Sequence, residues 1–270
     1  MFLVKSCNQE YNVKNSKTIK IGTLHEYRET ESLQIVDKEE GFFDIFFDLK
    51  DKYIETDLFN FLNYSHNSHL SAHIKHLHFK DNYQNYIRVD YDGKYSWINN
   101  NRFIFCISKL NSHEESTTIF PDYDDYWYVS FFKKQQLIKL LEVSLFNEVK
   151  NRIANREKIF TKQDINVGNL TIKSHSQDII YSDRSLYLDN HNMDSMKDKI
   201  IDIFRDIKYL KPDRFKKEAE FRIVFDFYEN QELLTPLVKS IIIPDSISDI
   251  IKQPNIFEQS LLYLFSHSPN

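Results

Sequence analysis

Apolar side chains recur along this chain with two different periods, and the changes from one to the other predict its elements. Leu137, Leu140, Leu141, Leu145 and Val149 fall at helical spacing, so Lys134 to Ile153 is expected as an amphipathic helix. Ile200, Ile201, Phe204 and Ile207 continue a second helix from about Met193, closed by Pro212, whose ring cannot continue the hydrogen-bond ladder. Elsewhere the pattern is extended. Strands are expected at Thr18 to Leu24, Phe42 to Leu49, Arg102 to Ser108, Tyr126 to Phe132, Leu170 to Lys173, Asp178 to Tyr181, Ala219 to Phe227 and Val238 to Ile243. The alternation in Tyr86 to Tyr91, then Asp92-Gly93, then Lys94 to Ile98, predicts a hairpin, because Asp-Gly accepts the positive φ angles of a tight turn. His25 to Ser32 reads as a polar turn or short helix. The aromatic and His-rich stretch Tyr53 to Phe79 reads as mostly helical, as does the tail from Ser246.

Strands mixed irregularly with helices argue for an α+β fold and against a repeated βαβ layout. No linker or repeat marks a boundary, so residues 1–270 are expected as one domain, or two fused lobes, with a helical His-rich insertion around 53–80. Composition narrows the chemistry. Only four glycines occur, Gly22, Gly41, Gly93 and Gly168, and no two are close. That spacing excludes the phosphate-cradling loops, which need clustered glycines. The formal net charge of -5 is the wrong sign for a general nucleic-acid coat protein, although a local basic cleft from Lys133, Lys134, Arg152, Arg156, Arg214, Lys216 and Lys217 stays open. Cys7 and Cys106 are too few for a disulfide framework, and Cys106 within FIFCIS reads as a small buried hydrophobe. Without an apolar run of membrane-spanning length or a signal-peptide core, the expected location is cytoplasmic, away from membranes.

Two segments could carry chemistry. In the first, a strand ends at Gly22-Thr23 and runs into His25-Glu26-Tyr27-Arg28-Glu29. A glycine there would let a planar ligand approach the backbone, with Tyr27 as a stacking face and Arg28 as a fork for phosphate oxygens. The plainer reading is a strand end followed by a solvated helix. In the second, Glu218-Ala219-Glu220-Phe221-Arg222 opens a strand, and alternation would place Glu218, Glu220 and Arg222 on one face. Paired carboxylates suit chemistry at an anomeric carbon, because glycosidic cleavage passes through an oxocarbenium-like state. The plainer alternative is a solvated face with an internal Glu–Arg ion pair.

Ile21-Gly22-Thr23, the following Tyr27-Arg28 and the late Glu218-x-Glu220 together resemble the ADP-ribosyltransferase pattern. The apolar Phe103–Ser108 segment and the Lys216–Arg222 segment are similar to bacterial proteins of the DUF2971 group. The resemblance implies a split, mainly antiparallel sheet with flanking and inserted helices, and NAD as a co-substrate with no metal. It implies Gly22 and Thr23 at the nicotinamide edge, Tyr27 for stacking, Arg28 on the pyrophosphate or ribose, Glu220 in catalysis and Glu218 as accessory. It further implies a macromolecular acceptor such as RNA, and, in the setting of toxins for phage defence, an antitoxin partner.

A rival reading uses His69, His73 and His76, which on a helix would share one face suited to a divalent metal in a hydrolase or nuclease. Leu70, Ile74 and Leu77 share the same spacing, so an amphipathic helix with a polar flank also explains the pattern. A non-catalytic interaction protein is the third class. Pro121 to Tyr128, an acidic aromatic stretch, reads as a loop entering a core strand or as a binding surface, and Asp37 to Gly41 as a turn or a loop over the cofactor.

Overall fold

A computed structural model describes residues 1–29 and 36–254. In chain order the elements are β1 (Phe2–Cys7), α1 (Val13–Ser16), β2 (Thr18–Thr23), α2 (Leu24–Glu29), β3 (Phe42–Glu55), α3 (Thr56–Leu62), β4 (Ser68–Tyr83) and β5 (Tyr86–Asn99). There follow β6 (Phe103–Leu110), α4 (Ser116–Ile119), β7 (Asp125–Ser130), α5 (Lys134–Ala154), β8 (Leu170–Asp178), β9 (Ile180–Tyr181), β10 (Ser185–Asp189) and α6 (Lys197–Asp206). The described chain continues with β11 (Leu210–Lys211), β12 (Glu220–Glu229), β13 (Glu232–Leu234) and β14 (Ser240–Pro244). The fold is mixed α+β and rich in strand, and it divides into two compact units. One comprises Met1–Val36, Arg102–Asp178 and Lys217–Asn270, the other Asp37–Asn101 and Ile179–Lys216.

The first unit is built on an eight-stranded sheet in which every pairing is antiparallel. β12 lies between β6 and β8, burying Phe221, Ile223, Phe225 and Phe227 on one face. Phe103, Phe105 and Ile107 of β6 extend that face, and Leu137, Leu141, Leu145 and Val149 of α5 close it. The helix forms as its spacing predicts, because one apolar stripe removes about 1.5–3 kcal/mol of hydrophobic exposure per leucine when it meets the sheet. The sheet forks at β6. One edge of β6 pairs with β1 at Ser108–Leu110 and with β2 at Phe103–Ile104, so between these registers Phe105, Cys106 and Ile107 have no strand partner on that edge among the described residues. Lys5 enters the fork and donates to the Cys106 carbonyl at 3.0 Å, satisfying an acceptor that the ladder leaves open.

The second unit is a four-stranded sheet in the order β10-β3-β5-β4, with β10 parallel to β3 and the other pairs antiparallel. Strict alternation puts Phe43, Ile45, Phe47 and Leu49 of β3 on the same buried face as Ile87, Val89, Tyr91, Tyr95 and Trp97 of β5. Leu58 and Leu62 of α3, with Ile200 and Phe204 of α6, cover it.

Three expectations fail here. The stretch expected as helix over 53–80 is the end of β3, the short α3, and then the long strand β4, where His69, His73, His76 and His78 pair along β5. Asp92-Gly93 is not a turn. It lies in the middle of β5, where a Cβ on Gly93 would stand 3.1 Å from the His73 carbonyl oxygen and 3.3 Å from Ile74 Cα, so the glycine permits close approach of β4. From Ser246 to Pro254 the chain makes turns and a bridge at Lys252 rather than a helix, and the remainder of the tail lies outside the described residues.

Asp37–Gly41 is a turn, with Gly41 at φ 75, and it carries a buried ion pair. Arg184 grips both oxygens of Asp37, at 2.7 and 2.6 Å, with both side chains out of solvent. Burial alone would raise the Asp37 pKa, but the Arg184 hydrogen bonds and charge outweigh it and hold the carboxyl below its ordinary value. The stability contributed by such a group is present above the unfolded carboxylate pKa, about 4, and is lost as pH falls through the lower native value. Asp37→Asn is therefore expected to cost about 3 kcal/mol at pH 7. In urea unfolding measured against pH, the gap between variant and parent should close below about pH 4.

Candidate functional site

The face of β12 opposite its apolar core carries Glu220, Arg222 and Asp226, all buried. Buried charges require partners, and each of these has one. Arg222 Nε donates to Glu220 Oε1 at 2.7 Å along the same strand face. Asp226 accepts from Arg102 Nη1 at 2.5 Å, and His175 Nε2 stands 3.9 Å from its second oxygen. On the neighbouring strand, Cys106 is the register partner of Arg222 and Ser108 of Glu220, so the thiol shares the polar face.

The early segment reaches the same place. Thr23, fully buried, donates to the Lys239 carbonyl at 2.9 Å and accepts from the Glu26 amide at 3.3 Å, which fixes the entry of α2 onto β2. From α2 the Tyr27 hydroxyl reaches the Cys106 sulfur and senses Glu220 and Glu26. Burial first, then the Cys106 contact and the nearby carboxylates, push the Tyr27 hydroxyl pKa well up. Gly22 makes this possible: a Cβ would lie 2.5 Å from Glu26 Oε2 and 3.3 Å from the Tyr27 ring. The glycine therefore accommodates the protein's own helix, and the open approach for a planar ligand expected at this backbone is filled by Glu26 and Tyr27. Glu26 is in turn paired with Lys20.

Glu220, Tyr27 and Gly22 thus converge, and Thr23 holds the helix that delivers Tyr27. Arg28 lies half-buried on the same short helix. Glu218 does not join Glu220 on a strand face. It ends the 3-10 turn Asp213–Glu218, Ala219 takes a left-handed φ of 44, and the strand begins only at Glu220. The residues that sequence reasoning passed over are Cys106, Lys5 and the Arg102–Asp226 pair. Parity in Phe103-Ile104-Phe105-Cys106-Ile107-Ser108 carried a signal for the first, since it sets Cys106 and Ser108 opposite the phenylalanines.

The His69, His73 and His76 face disappears with the helix that would have made it, and among the described residues no group of three His, Cys, Asp or Glu side chains is arranged to hold a metal ion. Among these residues no helix is long and apolar enough to cross a membrane.

Family models, curated proteins and solved structures contain no significant match to this chain.

The coupling across that face is measurable through the thiol. Burial and then the Glu220 charge push the Cys106 thiol up to about 12, with Arg222 and Lys5 opposing. Cys7 is pushed up equally, to about 12, by burial and by Asp125. Glu220→Gln should speed alkylation of Cys106 by iodoacetamide at pH 8 several-fold while leaving Cys7 unchanged, because only the thiolate reacts. Mass spectrometry of the two peptides reads this directly, and equal rates in parent and variant would separate Glu220 from Cys106.

Proposed function

We propose that this protein is an NAD-consuming ADP-ribosyltransferase acting at the polar face of β12. The observation that carries the reading is the convergence of Glu220 with Tyr27. These residues are far apart in sequence, yet the Glu220 charge reaches the Tyr27 hydroxyl beside a fork in an antiparallel sheet, where Arg222 fixes the carboxylate.

The roles are those that the resemblance to ADP-ribosyltransferases implies. Glu220 stands at the nicotinamide ribose, where a fixed carboxylate stabilises the oxocarbenium-like state formed as the glycosidic bond to nicotinamide breaks. The nicotinamide leaves with the bonding electron pair, needing no metal because the ring nitrogen is already cationic. An acceptor nucleophile then bonds to the same carbon and gives up its proton. Tyr27 supplies the ring face for nicotinamide and Arg28 the fork for pyrophosphate oxygens. Gly22 and Thr23 act by bringing α2 over the strand, and Glu218 contributes from the rim. The acceptor is a macromolecule, RNA among the candidates, and an enzyme with such a target inside its own host would be restrained by an antitoxin protein.

Incubation with NAD labelled in its adenylate phosphate, together with separate pools of RNA, DNA and protein, tests the reading. Label should move onto one pool with release of nicotinamide, and Glu220→Gln should lower the rate by at least about a hundredfold, the scale of losing a fixed electrostatic group in a transition state. Neither transfer nor nicotinamide release from the parent protein would sink the proposal.

A further inference from the structure

Where β12 begins, the chain leaves β7 through the turn Phe131–Lys133 and enters α5. Phe132 at the tip of this turn is 100% exposed, more than any other large apolar side chain among the described residues. Its neighbour Phe131 packs edge-to-face on Phe221, with centroids 6.1 Å apart. Two ammonium groups lie over the Phe131 ring, Lys134 Nζ at 4.9 Å and Lys109 Nζ at 5.0 Å. Lys133 is exposed beside Phe132, and Lys217 is exposed two residues before Ala219, whose carbonyl accepts the Lys109 amide at 2.8 Å. Among the described residues neither Lys133 nor Lys134 has a carboxylate within ion-pair distance, while Lys109 is matched by Asp178 at 2.5 Å. In a chain of formal net charge -5, Lys133 and Lys134 thus carry positive charge with no carboxylate beside them among the described residues.

We infer that the turn Phe131–Lys134 is a docking site for single-stranded nucleic acid. A fully exposed phenylalanine contributes nothing to the core of the described residues, and its ring faces are open to a ligand. One ring is too little apolar surface for the centre of a protein interface, which needs a cluster of anchors. It is equally short of the continuous apolar face by which helices lie on membranes. A single unstacked base, in contrast, needs one ring face, and its phosphates need ammonium groups on either side. Duplexes hide their base faces, which selects the single strand. The site stands on its own geometry. Only the further step, that the docked strand is the acceptor for Glu220 one residue before Phe221, rests on the transferase reading.

The test needs no NAD, so its failure is distinct from failure of the transfer reaction. Fluorescence anisotropy with a labelled 12-nucleotide single-stranded RNA should give saturable binding, weakened about tenfold by Phe132→Ala and largely retained by Phe132→Trp. Replacing Lys133 and Lys134 together by alanine should reduce the slope of log affinity against log salt by about 1.4, the share of two phosphate contacts to a single strand. A preserved circular dichroism spectrum would exclude misfolding, which the exposure of Phe132 makes the expected result. Absence of binding at low salt, binding indifferent to Phe132, or stronger binding to duplex RNA or to anionic phosphatidylserine vesicles would overturn the inference.

Discussion

A strand buried on both faces with Glu220, Arg222 and Asp226 on one of them folds only if each charge meets a partner inside the protein. Leaving one such group unmatched costs about 3–5 kcal/mol, a large part of the net stability of a domain. In β12 the matching is done in sequence as much as in space. Glu220 and Arg222 are two residues apart, so the pleat that turns Phe221 into the core turns both of them the other way. Asp226, farther along, takes its partner from Arg102 at the entrance to β6. The apolar face alone would be satisfied by many sequences. The polar face requires β6 alongside in its observed register, and it is this requirement that ties Cys106 to Arg222 and Ser108 to Glu220.

The fork at β6 follows from the same arrangement. β1 and β2 share one edge of β6 and diverge, so among the described residues three positions lack a strand on that side, and a lysine reaches in to satisfy the Cys106 carbonyl. Gly22 lies at one lip of the fork, paired with Ile104, and α2 departs immediately after it. The helix can fold back over the polar face only because position 22 has no side chain.

How much of this was legible depended on whether one period ran without interruption. α5 was, because five apolar positions at helical spacing meet one sheet face. β12 was, because Phe221, Ile223, Phe225 and Phe227 alternate without a break. β4 was not, and the cause is specific. Leu70 and Leu77 both lean on the core of the second unit although they are seven residues apart, an odd separation that alternation forbids and a helix allows. Register shifts between Ile74 and His76, and again between Phe79 and Asp81, insert residues that reverse the parity, so a bulged strand imitates a helical period. Gly93 misled for a related reason. Asp-Gly marks a tight turn where the strand must reverse, but here the glycine faces the first of those bulges and its use is room for the β4 backbone. At the candidate site, the residue types Gly22, Tyr27 and Glu220 were readable from their segments, whereas their contacts with Cys106 and Arg222 depended on a register that one sequence does not disclose.

Ala219 decides which carboxylates share the polar face of β12. Its φ of 44 is unusual for a residue with a Cβ and costs about 1–2 kcal/mol, offset here by a carbonyl that accepts the Lys109 amide and a methyl packed beside Val4, Leu110 and Tyr126. Extended backbone at 219 would have set Glu218 and Glu220 side by side, and adjacent carboxylates share a proton, which suits acid–base exchange. The left-handed residue turns Glu218 away and leaves Glu220 on the guanidinium of Arg222. The strained alanine is thus the local reason that β12 begins at Glu220 and that Glu218 stays off the face which Glu220 and Arg222 share.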